Sequence, residues 1–350
     1  MIVTGRQAQR AAPLVEALER EGITCSLFSI PSEPTVNLVR EGTRQARDSD
    51  FVIGFGGGSA MDGAKAIAAV AANSGEPLDY LEVIGSNQKL GSAPKPFVAI
   101  PTTAGTGAEV TRNAVLESEE HGVKASIRDY SMLARIALVD PDLTLHVPAD
   151  VTASTGLDTL TQLVEAYTST RANALVDLFC LEGLKRVAGS LRKTYHNGKD
   201  VEARESMSFA SLLSGLALAN AGLGVVHGFA APLGGTLHAP HGAICAALIR
   251  AGMSANIRKL RSQPDGSRFL DRYRTVAEVL TRLNSAQPED GVEWVRALCA
   301  ELHVKSLQDL GLRREALDEV THKAAESSSM KTNPVKMSRE ELMETLEQAS

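Results

Sequence analysis

Asp158 and Gln162 stand four residues apart in Thr155-Gly156-Leu157-Asp158-Thr159-Leu160-Thr161-Gln162, a stretch with helical patterning. That spacing puts a carboxylate and an amide oxygen on one helix face, where both can point into one site. His227 and His241 are fourteen positions apart, in Gly224-Val225-Val226-His227-Gly228 and Ala239-Pro240-His241-Gly242, each beside glycine in otherwise apolar surroundings. Imidazole together with carboxylate suits a divalent Fe²⁺ or Zn²⁺. The plainer reading of any one histidine is a satisfied buried side chain or a helix cap, and His121, His146, His196, His303 and His322 are read that way.

A second chemistry is written in two loops. Gly56-Gly57-Gly58-Ser59 follows the apolar run Phe51 to Phe55 and leads straight into a helix. Backbone free of Cβ atoms can close its N–H groups around a phosphate, and the helix N-terminus adds partial positive charge. The run is not the Gly-x-Gly-x-x-Gly fingerprint, and its plain alternative is a flexible turn with Ser59 as helix N-cap. Pro101-Thr102-Thr103-Ala104-Gly105-Thr106-Gly107-Ala108-Glu109 leaves another apolar strand and offers hydroxyls to a phosphate, a ribose or a nicotinamide amide; its alternative is a polar surface loop. Two such loops after two strands of one sheet point to a nucleotide, because ligands sit at the carboxyl ends of parallel strands.

The elements that must position these residues change character along the chain. Strand patterns at Ile23–Phe28, Phe51–Phe55, Pro96–Ile100 and Arg135–Asp140 alternate with helix patterns at Arg6–Glu21, Thr35–Ala46 and Ser59–Ala72, which implies a parallel sheet covered by helices. Glu109–Glu117 and Val123–Arg128 form a candidate hairpin. From Ala149 the periodicity is helical, over Ala149–Thr168, Val176–Leu191, Val201–Ala219, Ala243–Ile257, Phe269–Leu283, Val292–Leu302 and Arg339–Gln348. The expected organisation is an α/β nucleotide-binding domain over 1–148 and an all-helical domain over 149–350, with the opening strand short at Met1–Thr4.

Length and composition agree. A chain of 350 residues exceeds the size of a single core, and clefts between domains favour small-molecule sites. With 43% hydrophobic and 22% charged residues it is ordinary for a globular protein. A net charge of −6 without a dense Lys/Arg cluster excludes a nucleic-acid footprint. Cys25, Cys180, Cys245 and Cys299 are far apart and form no Cys-x-x-Cys pair, so they read as buried free thiols in a reducing compartment. No apolar stretch is long enough for a membrane span and no signal sequence is seen, so a cytoplasmic location is expected.

Taken together, these segments resemble the iron-containing alcohol dehydrogenase family, in the superfamily of glycerol dehydrogenases and dehydroquinate synthases. The resemblance runs through Gly56-Gly57-Gly58-Ser59 with Asp62 and Lys65, Pro101-Thr102-Thr103 to Gly107, Glu109-Val110-Thr111, Asp140-Pro141, Thr155-Gly156-x-Asp158, His227 to His241, and Asn333-Pro334. It implies a dehydroquinate synthase-like fold, a Rossmann-like domain followed by a helical metal-binding domain. It also implies NAD(P)H held by Gly56, Gly57, Gly58, Ser59 and Asp62, with Thr102, Thr103 and Thr106 toward the nicotinamide half and Ser29 and Lys124 as further contacts. Asp158, His227 and His241 match three of the family's four metal ligands, one Asp and three His.

The departures carry information. Gln162 occupies the place of the missing histidine ligand, and an amide oxygen coordinates more weakly than imidazole. Ala231 stands where many members have a further histidine, which leaves His238 as the candidate proton relay. Where many NAD-preferring members have an acidic residue after the second strand this chain has Phe28-Ser29-Ile30, so a 2′-phosphate meets no repulsion and NADPH is accommodated. Relatives also begin with a longer segment that forms strands at the sheet edge. The expected activity is metal-assisted hydride transfer between the nicotinamide and a small alcohol, aldehyde or ketone, in a homodimer or larger homo-oligomer. The rivals are a metal-independent reductase of an unsaturated keto acid, as in maleylacetate reductases, with Arg112, Arg128 and Arg171 available for carboxylates, and an inactive nucleotide-binding scaffold.

Overall fold

Apolar, β-branched runs become strands where they can be covered on both faces. In the computed structural model, which describes Met1 to Ser350, β1 (Ile2–Thr4), β2 (Leu27–Ser29), β3 (Val52–Gly56) and β4 (Phe97–Pro101) pair in parallel. β5 (Asn113–Ser118) and β6 (Val123–Arg128) form a separate antiparallel hairpin, and β7 (Ile136–Ala137) adds to the parallel sheet beside β4. The sheet order is β2-β1-β3-β4-β7. Helices α1 (Ala12–Arg20), α2 (Val36–Ala46), α3 (Gly58–Ala71) and the single turn α4 (Pro77–Tyr80) make the crossovers. The chain leaves β1 toward β2 and returns past it to β3, so the sheet's switch point lies between the carboxyl ends of β1 and β3.

Helix α3 is buried nearly all round, with Ala60, Met61 and Gly63 to Val70 covered, as its lack of a polar face requires. Its one fully buried charged residue, Lys65, is well satisfied. The ammonium donates to the Ala108 carbonyl at 3.0 Å, to Thr111 Oγ1 at 3.0 Å and to the Asn113 carbonyl at 2.5 Å, and pairs with Asp62 at 3.1 Å. Asp62 in turn accepts the Val115 amide at 3.1 Å. This knot ties the glycine-run helix to the segment after the threonine loop.

The rest of the chain is helical: α5 (Ala149–Thr168), α6 (Ala174–His196), α7 (Val201–Ala221), α8 (Val225–Leu237), α9 (His241–Arg261), α10 (Ser267–Thr281), α11 (Pro288–Glu301), α12 (Leu317–Ala325) and α13 (Arg339–Gln348). Two compact units result, Met1–Thr103 with Gly107–Leu143, and Ala104–Thr106 with Thr144–Ser350. The tip of the threonine loop thus packs with the helical unit, where the Gly105 carbonyl accepts from Thr159 Oγ1 at 3.0 Å. A Cβ on Gly105 would lie 2.6 Å from Thr155 Cβ, so only glycine permits that approach. No single helix is long and apolar enough to cross a membrane.

Several elements differ from expectation. Ile23–Phe28 shrinks to Leu27–Ser29 and Arg135–Asp140 to two residues, because pairing with a neighbouring strand, not residue type, sets strand length. The helix expected from Arg6 begins as 3₁₀ turns at Ala8–Ala11 and becomes α-helical at Ala12, with Pro13 in its first turn. Helices α8 and α12 carried no clear signal. Pro232 and several glycines disguise α8, which is nonetheless held by burial of Val225, Val226, Phe229, Ala230 and Leu233.

Candidate metal and cofactor sites

The metal-type residues converge in the helical unit. Asp158 sits in the middle of α5, His227 in the first turn of α8, and His241 opens α9. Close packing brings α9 in: a Cβ on Gly242 would lie 2.7 Å from the Ser154 carbonyl of α5. Asp158 Oδ1 lies 3.4 Å from His227 Nε2 and 3.6 Å from His241 Nε2. Cys245 Sγ, one turn beyond His241, is 3.8 Å from His227 Nε2 and 3.5 Å from His241 Nε2. These four donor atoms all lie within 4.8 Å of one another. Cys245, expected to be a buried free thiol, is therefore part of the cluster; the signal that could have found it is its place four residues after His241 on one helix face.

Around the cluster, polar groups fix the donors. Glu165 is buried and follows Asp158 by seven residues on α5, so it shares that face. Its carboxylate accepts the Gly224 and Val226 amides at 2.9 and 2.6 Å, at the start of α8, and the His227 Nδ1 proton at 2.7 Å. With Nδ1 held by Glu165, His227 turns Nε2 toward Asp158, the arrangement found where histidine binds metal. Sequence reading passed over Glu165, although Asp158, Gln162 and Glu165 form an i, i+4, i+7 row. Asn333 caps the same helix, accepting the Val225 amide at 3.0 Å while it pairs with Asn256 through both amide groups.

Gln162, expected either as a fourth ligand or as a group that supports one, is hydrogen-bonded to a neighbouring ligand. Its Nε2 donates to Asp158 Oδ2 at 3.1 Å and its Oε1 accepts from Ser214 Oγ at 2.6 Å. A carboxylate can only accept, which dictates that orientation of the amide. The amide oxygen thus faces Ser214, and Gln162 steadies Asp158. His238 is exposed at the left-handed end of α8 and lies outside the four-donor cluster.

Asp158 Oδ1, by contrast, is buried with no hydrogen-bond partner. An orphaned carboxylate oxygen is costly to bury unless a cation compensates it. Burial alone would raise the Asp158 pKa, yet the neighbouring His241 and His227 imidazoles hold it below the usual value. Burial likewise disfavours charged imidazoles, but the Cys245 sulfur and Asp158 outweigh it, pushing His241 up to about 9 and His227 well above its ordinary value. The pocket favours positive charge, and the donor set fits a divalent metal.

The cofactor candidates collect in the α/β unit. A Cβ on Gly56 would lie 2.6 Å from Ala60 Cβ and 3.3 Å from the Gly5 nitrogen, so β3 meets the first turn of α3 more closely than a side chain allows, with the turn after β1 close by. Gly57, rather than Ser59, caps α3, with no side-chain capping hydrogen bond to its first turn. Thr102 continues the cradle, its amide donating to the Gly56 carbonyl at 2.8 Å, and Thr103 Oγ1 stands beside Gly57. Ser29 ends β2 and donates to the Gly5 carbonyl at 3.1 Å. These groups surround the switch point of the sheet, whereas Thr106 belongs with the helical unit. Asp62 and Lys124 are committed elsewhere: Asp62 to Lys65 and Val115, and Lys124 to Glu33 at 3.1 Å. Of the arginines considered for a dicarboxylate, Arg112 stacks 3.9 Å from the Tyr130 ring centroid and Arg128 pairs with Glu82 at 3.4 Å.

A parallel-sheet nucleotide cradle joined to a helical unit with an Asp-His-His cluster defines a class of oxidoreductase. Residues 1–141 match the family described as Iron-containing alcohol dehydrogenase, and residues 152–350 match Fe-containing alcohol dehydrogenase family, C-terminal. The chain belongs to the iron-containing alcohol dehydrogenase family, whose members are nicotinamide-dependent oxidoreductases that use a divalent metal. It is 33% identical over 339 residues to alcohol dehydrogenase 4 of Saccharomyces cerevisiae, covering 95% of this chain and 85% of that one. A crystal structure of 1,3-propanediol oxidoreductase is similar with a TM-score of 0.90 and 30% identity, covering 100% of this chain and 92% of the other. Sulfoacetaldehyde reductase from Bifidobacterium kashiwanohense, in complex with NAD⁺, matches with a TM-score of 0.85 and 26% identity over 99% and 89% of the two chains.

Proposed function

We propose that this enzyme interconverts a small primary or secondary alcohol with its aldehyde or ketone, using NAD(H) or NADP(H), with a divalent metal held by Asp158, His227 and His241. The observation that carries the reading is the buried, unpartnered Asp158 Oδ1 facing two imidazole Nε2 atoms. When bound, such a cation supplies Lewis acidity to a substrate oxygen and stabilises the charge that builds there as hydride is transferred. The protein's own contribution is positioning. Glu165 holds the proton on His227 Nδ1, Gln162 pins the second oxygen of Asp158, and the apolar residues of α8 and α9 keep water from most of the cluster. His241, with its side chain 38% exposed, is the donor open to an arriving substrate.

The cradle of Gly56, Gly57, Gly58 and Ser59 with Thr102 and Thr103 takes the pyrophosphate and neighbouring groups of the cofactor. Thr106 and His238 complete the reading as groups near the nicotinamide and the proton path. The reading extends to a homo-oligomer in the cytoplasm; Leu175 and Leu178, one turn apart and 57% and 66% exposed on α6, supply apolar surface for a second copy.

The test separates the two sites. Oxidation of NADH and NADPH is followed against an aldehyde and ketone panel. His227→Ala and His241→Ala are expected to lower turnover by about 100-fold or more while cofactor titrations remain normal. Gly57→Val should weaken cofactor binding with metal content unchanged, since a side chain there blocks the approach of a pyrophosphate. Parallel loss of both properties in every variant, or wild-type turnover indifferent to chelators, would defeat the reading.

A further inference from the structure

We infer that Cys245 is a metal ligand, giving this enzyme a thiolate-containing donor set that selects zinc over ferrous iron. The inference rests on the metal reading above and specifies its chemistry. Its first support is geometric. A tetrahedral ion with sulfur at ~2.3 Å and nitrogen or oxygen at ~2.0–2.1 Å has sulfur–nitrogen edges of about 3.5–3.6 Å and oxygen–nitrogen edges of about 3.3–3.4 Å. The observed edges from Cys245 Sγ are 3.5 and 3.8 Å, and those from Asp158 Oδ1 are 3.4 and 3.6 Å. These four edges match those of one small cation's shell, and all four atoms lie within 4.8 Å of one another.

The second support is a buried acceptor left without a partner. His227 Nδ1 is engaged by Glu165, so Nε2 is the ring atom turned to the cluster. Asp158 Oδ1 makes no hydrogen bond, although both imidazole Nε2 atoms face it. The Cys245 sulfur converges on the same two Nε2 atoms, at 3.8 and 3.5 Å. Hydrogen bonding therefore leaves the buried Asp158 Oδ1 without a partner, at a point on which two imidazoles and a sulfur converge, where one cation would engage all four. The third support is placement: Cys245 lies four residues after His241 on α9, so one helix face presents both atoms. Cys180, buried among the apolar side chains of the helical core, has no comparable company.

A soft thiolate changes which metal is favoured. Sulfur with imidazole and one carboxylate suits Zn²⁺, whereas oxygen-rich sets favour harder ions. The partly exposed flank of His241 remains the side from which a substrate oxygen can approach.

Cobalt reports thiolate ligation directly. The full-length enzyme, stripped by chelator and reloaded with Co²⁺ under reducing, oxygen-free conditions, is expected to bind one ion per chain and show an intense near-ultraviolet thiolate-to-cobalt absorption. Cys245→Ser and Cys245→Ala should abolish that absorption and lower zinc affinity by about tenfold or more, the scale on which even groups supporting a ligand matter. Competition between Zn²⁺ and Fe²⁺ should favour zinc more strongly in the wild type than in Cys245→Ser. Stoichiometric cobalt that requires His241 but gives no thiolate absorption in the wild type overturns the inference and leaves the three-ligand site standing. Failure of the wild type to bind cobalt at all overturns both. The wild-type spectrum decides the matter even if a cysteine variant folds poorly.

Discussion

Gln162 shows how one side chain can keep its place in a site while changing its work. It shares the face of α5 with Asp158, but its amide donates to the carboxylate and accepts from Ser214. Removing it frees Asp158 Oδ2 to turn and leaves its oxygen without a donor. Gln162→Leu is therefore expected to weaken metal binding by about 10–100-fold, with cofactor affinity unchanged; equal metal affinity in a metal-buffer titration would show that Asp158 needs no such support. At Ser29 the question is charge. An aspartate there would stand at the end of β2 near the cofactor cradle and repel a 2′-phosphate. Ser29→Asp should raise the ratio of NADPH to NADH dissociation constants about fivefold, the ~1 kcal/mol expected for like charges at ~4 Å in water. An unchanged ratio would place the ribose elsewhere.

Among the elements, α9 bears two donors and depends on its approach to α5. Gly242 lies where a Cβ would meet the Ser154 carbonyl at 2.7 Å, and a backbone oxygen in the middle of a packed helix cannot step aside. Gly242→Ala should push the start of α9 outward and destabilise the fold by about 1–3 kcal/mol, with a loss of metal affinity alongside. Gly91→Ala, whose Cβ would meet only Asn73 Oδ1 at 3.8 Å, is the matched control. Denaturant midpoints and metal titrations on the pair check the expectation, and identical behaviour of the two variants would contradict it. The neighbouring α8 is held at its start by Glu165 and Asn333 rather than by a residue of its own, its N-cap being Gly224. Capping of α8 and orientation of His227 are one set of hydrogen bonds, so these two properties cannot be varied independently.

For the molecule as a whole, the metal cluster links stability to pH. Burial opposes charge on His241, but Cys245 and Asp158 raise its pKa to about 9, above the ordinary ~6.5. A folded-state value above the unfolded one means stabilisation that is fully present below pH ~6.5 and lost as pH rises through about 9. Metal acts in the opposite sense, because binding expels these protons and grows tighter as pH rises. The metal-free enzyme should thus lose stability between about pH 6.5 and 9, and added Zn²⁺ should raise the melting midpoint more at the upper end of that window. Equal shifts at both ends would mean that the cluster does not exchange protons for metal.

What the sequence by itself determined is what local patterns can carry. Alternating apolar strands and helices indicated a parallel sheet, the continuous helical periodicity after Ala149 indicated a helical unit, and Gly56-Gly57-Gly58 marked a backbone that nothing bulky can cover. The bounds of α5 and α13 were legible to the residue, because their periodicity and flanking residues are local. Tertiary structure decided how far β2 and β7 extend, since strand length depends on a partner, and it turned Pro232 and its glycines into a helix through burial. It also divided the roles at the metal cluster. Whether Gln162 offers oxygen or nitrogen, and whether Cys245 is an inert thiol or a donor, depends on which atoms α5, α8 and α9 bring face to face. Helical spacing places a side chain on a face, but only packing chooses what it meets.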